Sequence, residues 1–148
     1  MINLEKWENV QKIKLKTVEE NDGTLTCIEV NKDIPFEIRR IFLIYSVPSL
    51  NVIRGEHASE NTEFFIQVLK GNVCIKLSDG NKTKIIHMNS MVEGIYVPKM
   101  TWIQITGFST DAIVQVYASL EYEKCKYINS FSEYIKLINN KCYYGEEE

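Results

Sequence analysis

The stretch IRGEHASENTEFFIQVLKG, Ile53–Gly71, decides how this chain is read. It sets Arg54, His57 and Glu63 close together and runs into an apolar segment that Gly71 closes. His57 is one of only two histidines in the chain. Two positions on, where a metal site or a two-base site would want a second imidazole, stands Ser59. The lone imidazole is the feature to be explained.

Around this stretch the pattern has period two. KIKLKT (12–17) and NVCIKLS (72–78) alternate apolar and polar residues as half-buried strands do, and DGNK (79–82) reads as the hairpin turn closing the second. LTCIEV, EIRRIFLIYSV, FFIQVLKG, TKIIHM, GIYVP, WIQITGF and AIVQVYAS are further short β-rich runs, with Gly, Asn, Asp or Pro between them. That rhythm predicts an antiparallel sandwich or barrel rather than alternating β and α units. Only SFSEYIKLINNK (130–141) has helical spacing. Its Phe131, Tyr134, Ile135 and Ile138 fall on one stripe, with Ser130 as N-cap and Glu133 at the capping-box position. The acidic tail beyond, about 143–148, is expected to be disordered.

At 148 residues, 45% of them hydrophobic, the chain is expected to form one domain, 1–148, with a real core. A net charge of −3 without a basic stripe gives no reason to expect nucleic acid as a partner. MINLEKWENVQK lacks an apolar core of signal-peptide length, and no run approaches the roughly 20 apolar residues of a membrane span. Cys27, Cys74, Cys125 and Cys142 are far apart with no C-x-x-C pair, which reads as reduced thiols in a cytoplasm.

A divalent transition metal wants about three protein donors, preferably imidazole. His57 and Glu63 fall short of that, and His87 in KIIHMN is the only other histidine, so no metal or other cofactor is expected. A metal-free acid–base role needs less. One imidazole in a partly apolar cavity titrates near neutrality and can take and return a proton. The structural alternative is a hydrogen-bonded core or surface histidine. The arginines favour the functional reading, because the chain has fourteen lysines but only Arg39, Arg40 and Arg54, all within one short region. A guanidinium grips a phosphate at two points, which an ammonium cannot do. Alternation puts Arg54 and His57 on opposite faces unless the strand bends after Gly55, a residue that permits such a bend. An anionic ligand held beside a single base is the expectation.

His57, Ser59, Glu63 and Gly71 occupy the places at which a cupin barrel usually carries two histidines, a glutamate and a glycine. Taken in order, DGTLTCIEVNKDIPFEIRRIF (22–42), RGEHAS (54–59), GNVCIKLSDG (71–80), GIYVPKMTW (94–102) and YASLEYEKCKYINSFSEYI (117–135) resemble the sugar-nucleotide 3,4-ketoisomerases. These are cupin enzymes acting on dTDP-4-keto-6-deoxyglucose, and the likeness covers residues 11–137. It implies an all-β cupin, a double-stranded β-helix jelly roll with a short C-terminal helix. It also implies a homodimer with N-terminal strands exchanged or packed across the interface, and no metal.

The resemblance implies chemistry as well. The ketone at C4 acidifies the proton at C3, a base removes it, and reprotonation of the enediol at C4 leaves the ketone at C3. His57 becomes the shuttle base, Arg54 a contact to pyrophosphate or sugar, and Arg40 part of the nucleotide site. Ser59 replaces the family's second histidine and could relay a proton through its hydroxyl. Glu63 and Gln67 are candidates to compensate, and Trp102 joins them as an expected substrate contact. The chain also departs from the family pattern at Asp22, Glu60 and Ile103. Two further readings stay open. One is a sugar-nucleotide-binding cupin without turnover or with altered activity, which Ser59 and Ile103 favour. The other is a 3,5-epimerase-like cupin with Tyr45, Tyr96 or Tyr117 as acid.

Overall fold

Alternating side chains need two covers, and the chain supplies them as two five-stranded antiparallel sheets. The computed structural model describes residues 10–144. In chain order the strands are β1 (Lys12–Lys14), β2 (Lys16–Glu20), β3 (Gly23–Cys27), β4 (Arg40–Tyr45), β5 (Arg54–Ser59) and β6 (Phe64–Lys70). They continue with β7 (Val73–Ser78), β8 (Thr83–Met88), β9 (Glu93–Val97), β10 (Trp102–Thr106), β11 (Ile113–Ala118) and β12 (Tyr127–Ile128), before the helix α1 (Phe131–Tyr144). One sheet runs β1-β9-β6-β11-β4, the other β12-β5-β10-β7-β8, and β2–β3 forms a separate hairpin. This is the all-β jelly roll with a short C-terminal helix that the sequence implied.

Parity decides what lies between the sheets. Phe64, Ile66 and Val68 of β6 and Val114 and Val116 of β11 meet Ile75 and Leu77 of β7 and Ile103 and Ile105 of β10 in one buried cluster. Each such side chain contributes about 1.5–3 kcal/mol when fully buried. The other face of the first sheet is also covered. Leu15, Ile34 and Phe36 pack there against Phe65, Tyr96 and Tyr117. Within the run EIRRIFLIYSV the strand begins only at Arg40, and Ile38 just before it packs against that outer-face cluster.

The turn 79–82 closes β7 onto β8 as expected, with the Asp79 carboxylate accepting the N–H groups of Asn81 (2.8 Å) and Lys82 (2.6 Å). Helix α1 starts at its expected cap, where Ser130 Oγ accepts the Glu133 N–H at 3.4 Å. It is anchored by Tyr134, fully buried, whose hydroxyl donates to the carbonyls of Ser78 (3.0 Å) and Met100 (2.7 Å). The helix runs past the expected Lys141 to Tyr144. Residues 1–9 and the acidic tail from 145 on, both read from sequence above, lie outside the described residues. Among the described residues no helix is long and apolar enough to cross a membrane.

Candidate active site

The site begins with an irregularity in one ladder. Strand β10 pairs Ile105 with Arg54, Gln104 with Gly55 and Ile103 with His57, which leaves Glu56 as an extra residue in β5. Gly55 (φ 87°) and Glu56 (φ 52°) both take left-handed backbone conformations. A Cβ on Gly55 would stand 3.1 Å from the Ile103 carbonyl oxygen. A bulge of this kind resets the alternation. Arg54 and His57 therefore point into the same cavity, of about 650 Å³. The bend that the sequence made conditional on Gly55 is present.

His57 sits in that cavity with its ring edge-on to Tyr127, centroids 4.6 Å apart, and 6.3 Å from Phe64. Its Nδ1 is buried and has no hydrogen-bond partner. Burial lowers its pKa below the ordinary imidazole value; a contact to its own backbone opposes this, and the charge on Arg40 adds to it. The ring is thus neutral at neutral pH, and a neutral imidazole is a competent base.

Arg40 reaches across from β4. Its guanidinium donates to the Tyr127 hydroxyl at 2.9 Å and lies over the rings of Phe42 (5.1 Å) and Tyr122 (5.4 Å). Its Nε is buried without a partner. Neither Arg40 nor Arg54 makes an ion pair among the described residues, and no carboxylate lines the cavity. Arg39, one residue earlier and on the opposite parity, is exposed and pairs with Glu37 at 2.8 Å. Two guanidiniums without counter-charge beside apolar walls have the charge and setting to hold an anion, since low-polarity surroundings strengthen their field.

The structure does not bring the remaining expected residues into this cavity. Ser59 is buried beyond the end of it. Its Oγ accepts the Thr62 N–H at 3.1 Å and lies 3.4 Å from Cys125 Sγ, to which Thr62 Oγ1 also donates at 3.0 Å. The Asn61 side chain binds the Lys124 carbonyl and the Lys126 N–H, each at 2.9 Å. Ser59 therefore belongs to a polar pin joining the 59–62 turn to the segment that carries Tyr127, and its hydroxyl is used there. Glu63 and Gln67 fall on the outer parity of β6. Glu63 accepts a hydrogen bond from Tyr96; Gln67 donates to the Met91 carbonyl at 2.6 Å and accepts from Tyr117 at 2.9 Å. Trp102 packs under α1 against Phe131 (5.2 Å) and Tyr134 (5.7 Å), while its neighbour Ile103 faces the cavity. His87 is exposed on β8, and no three metal-ligating side chains cluster among the described residues.

Tyr122, Tyr127 and Asn129 line the cavity and were not singled out from sequence. Tyr127 belongs to a two-residue strand, paired through Tyr127↔Ser59 and Ile128↔Ala58, too short for any periodicity to reveal. Burial and the adjacent Cys125 thiol outweigh Arg40 and push the Tyr127 phenol up to about 12. The phenol therefore keeps its proton at neutral pH.

Known proteins resemble this chain over nearly its whole length. The family described as "FdtA: WxcM-like, C-terminal" matches residues 8–139. A TDP-4-oxo-6-deoxy-α-D-glucose-3,4-oxoisomerase of Aneurinibacillus thermoaerophilus is 35% identical over 130 residues, 86% of this chain and 93% of that protein. The crystal structure of WlaRA, a TDP-fucose-3,4-ketoisomerase from Campylobacter jejuni, superposes with a TM-score of 0.82 at 36% identity, over 89% of this chain and 97% of that one. QdtA, a sugar 3,4-ketoisomerase from Thermoanaerobacterium thermosaccharolyticum solved in complex with TDP, gives 0.84 at 31% identity, over 92% and 98%. The chain belongs to the FdtA, WxcM-like C-terminal family, and stands within it among the sugar-nucleotide 3,4-ketoisomerases.

Proposed function

We propose that this chain is a metal-independent isomerase of a TDP-linked 4-keto-6-deoxy sugar, moving the ketone from C4 to C3 through an enediol in deoxysugar biosynthesis. The observation that carries the reading is an imidazole with a buried, unpartnered Nδ1 sharing one cavity with two uncompensated guanidiniums. Arg40 and Arg54 hold the diphosphate, and the apolar walls exclude water from the sugar. His57 removes the proton from C3 and returns it to C4, so a single base serves both carbons. Ser59 contributes by fixing the wall that carries Tyr127, not by titrating.

The activity of the 35%-identical curated relative and the uncompensated cations support this reading over the others. One observation favours a binding protein without turnover: Phe42, Phe64 and Ile103 make the wall next to His57 apolar, where a sugar has hydroxyls to satisfy. A homodimer belongs to the same proposal. Ile41, Leu43 and Tyr45 project outward from edge strand β4 and are 56%, 49% and 64% exposed, and Val18 and Leu25 are exposed on the β2–β3 hairpin. A cytoplasmic location, consistent with the free thiols Cys27, Cys74 and Cys125, completes it.

Proton NMR of dTDP-4-keto-6-deoxyglucose incubated with the protein in D₂O tests the function directly. A 3-keto product formed by wild type and lost by about 10²–10⁴ in His57→Asn, with TDP still bound, is the expected result. Wild-type turnover in His57→Asn would remove His57 from the mechanism. TDP binding by wild type with neither C3 exchange nor product would leave the binding-protein reading.

A further inference from the structure

Moving a ketone from C4 to C3 requires two proton transfers on carbon and two on oxygen. His57 can perform the carbon transfers, but the oxygen transfers need a second group. The sequence offered Ser59, whose hydroxyl is committed to the Thr62 N–H and the Cys125 thiol outside the cavity. We propose that Tyr127 is that second catalytic group, the acid and base that carries the hydroxyl proton between O4 and O3. The inference rests on the isomerase reading above and adds a role to a residue of the same cavity.

Three features of its setting support this assignment. The Tyr127 ring lies edge-on to the His57 ring at 4.6 Å, so a sugar placed against the imidazole also meets the phenol. The phenol oxygen accepts a hydrogen bond from Arg40 at 2.9 Å, which leaves its own proton for another acceptor. Its other polar neighbour is the Cys125 thiol, a weak acceptor that a sugar oxygen can displace. Ser59, Asn61 and Thr62 hold the Cys125 segment, so the hydroxyl is set on a fixed strand rather than a free loop.

The proton inventory closes. As His57 takes the C3 proton, the electron pair of that C–H bond forms the C3=C4 double bond, and the C4 carbonyl becomes an enolate at O4. Tyr127 gives its proton to O4 and becomes a phenolate beside the Arg40 cation. It then removes the proton from O3 as the C3=O bond forms and the imidazolium returns its proton to C4. Imidazole and phenol end as they began. No oxidant, reductant or metal enters.

The test is Tyr127→Phe, which keeps the ring and deletes only the hydroxyl, assayed for C3 deuterium exchange and for 3-keto product in the same D₂O sample. Binding of TDP and the melting temperature check the fold. The expected result is product formation reduced about 10²–10³-fold, with C3 exchange reduced less than about tenfold, so that exchange without product becomes the dominant event. Loss of both by one common factor would mean the hydroxyl only supports the site, and an undiminished product rate would mean it has no role; either overturns the proposal. Absence of both exchange and product in wild type would instead overturn the isomerase reading on which it rests.

Discussion

Replacing Gly55 by Ala tests whether the bulge is what brings arginine and imidazole together. Gly55 has φ of +87°, and a Cβ there would approach the Ile103 carbonyl oxygen to 3.1 Å, with the Ile103 carbonyl carbon at 3.6 Å. The partner is backbone held in the β10–β7 ladder, so it cannot turn aside as a side chain would. Holding an L-residue in such a conformation costs about 1–3 kcal/mol. For a domain of this length each kcal/mol lowers the melting temperature by about 2–4 °C, so a fall of about 2–12 °C is expected by calorimetry. The chain has one way to escape the strain, which is to lose the bulge. That slips the register by one residue and turns His57 or Arg54 out of the cavity. The expected pattern is therefore a lower melting temperature together with either weaker TDP binding or loss of C3 exchange. A Gly55→Ala protein with wild-type melting, binding and exchange would refute the account of the bulge.

Three further outcomes follow from the same structure. Because burial, with Arg40 adding to it, holds the His57 pKa below 6.5, the acid limb of kcat/KM is expected below that value, and a limb above it would contradict the site as described. The unfolded state binds the proton first, so the stability due to a neutral His57 is intact above about pH 6.5 and is lost as pH falls towards the folded value; urea melts of wild type and His57→Asn at pH 7.5 and pH 5.5 should converge at the lower pH. Ile41→Asp, which sets a charge on the exposed apolar face of β4, is expected to give monomers in sedimentation velocity where wild type is a dimer. Wild type sedimenting as a monomer at micromolar concentration would end the dimer proposal.

The sequence by itself determined most of the longer strands, the turn at 79–82 and the cap of α1. Each of these is local: alternation, a four-residue turn and a cap are written in neighbouring residues. The pairing of a lone histidine with the chain's few arginines was legible for the same reason, because scarce residue types concentrated in one region stand out without any structure. Which residues face the cavity was not legible. Ser59, Glu63, Gln67 and Trp102 share the right region, yet parity at β6 sends Glu63 and Gln67 to the outer face, and α1 covers Trp102. Tyr127 is 70 positions from His57 in the chain, and only the pairing of β12 with β5 places it there. A single inserted residue, Glu56, decides that Arg54 and His57 face one cavity. Register across strands depends on contacts between distant segments, so tertiary structure alone could settle it.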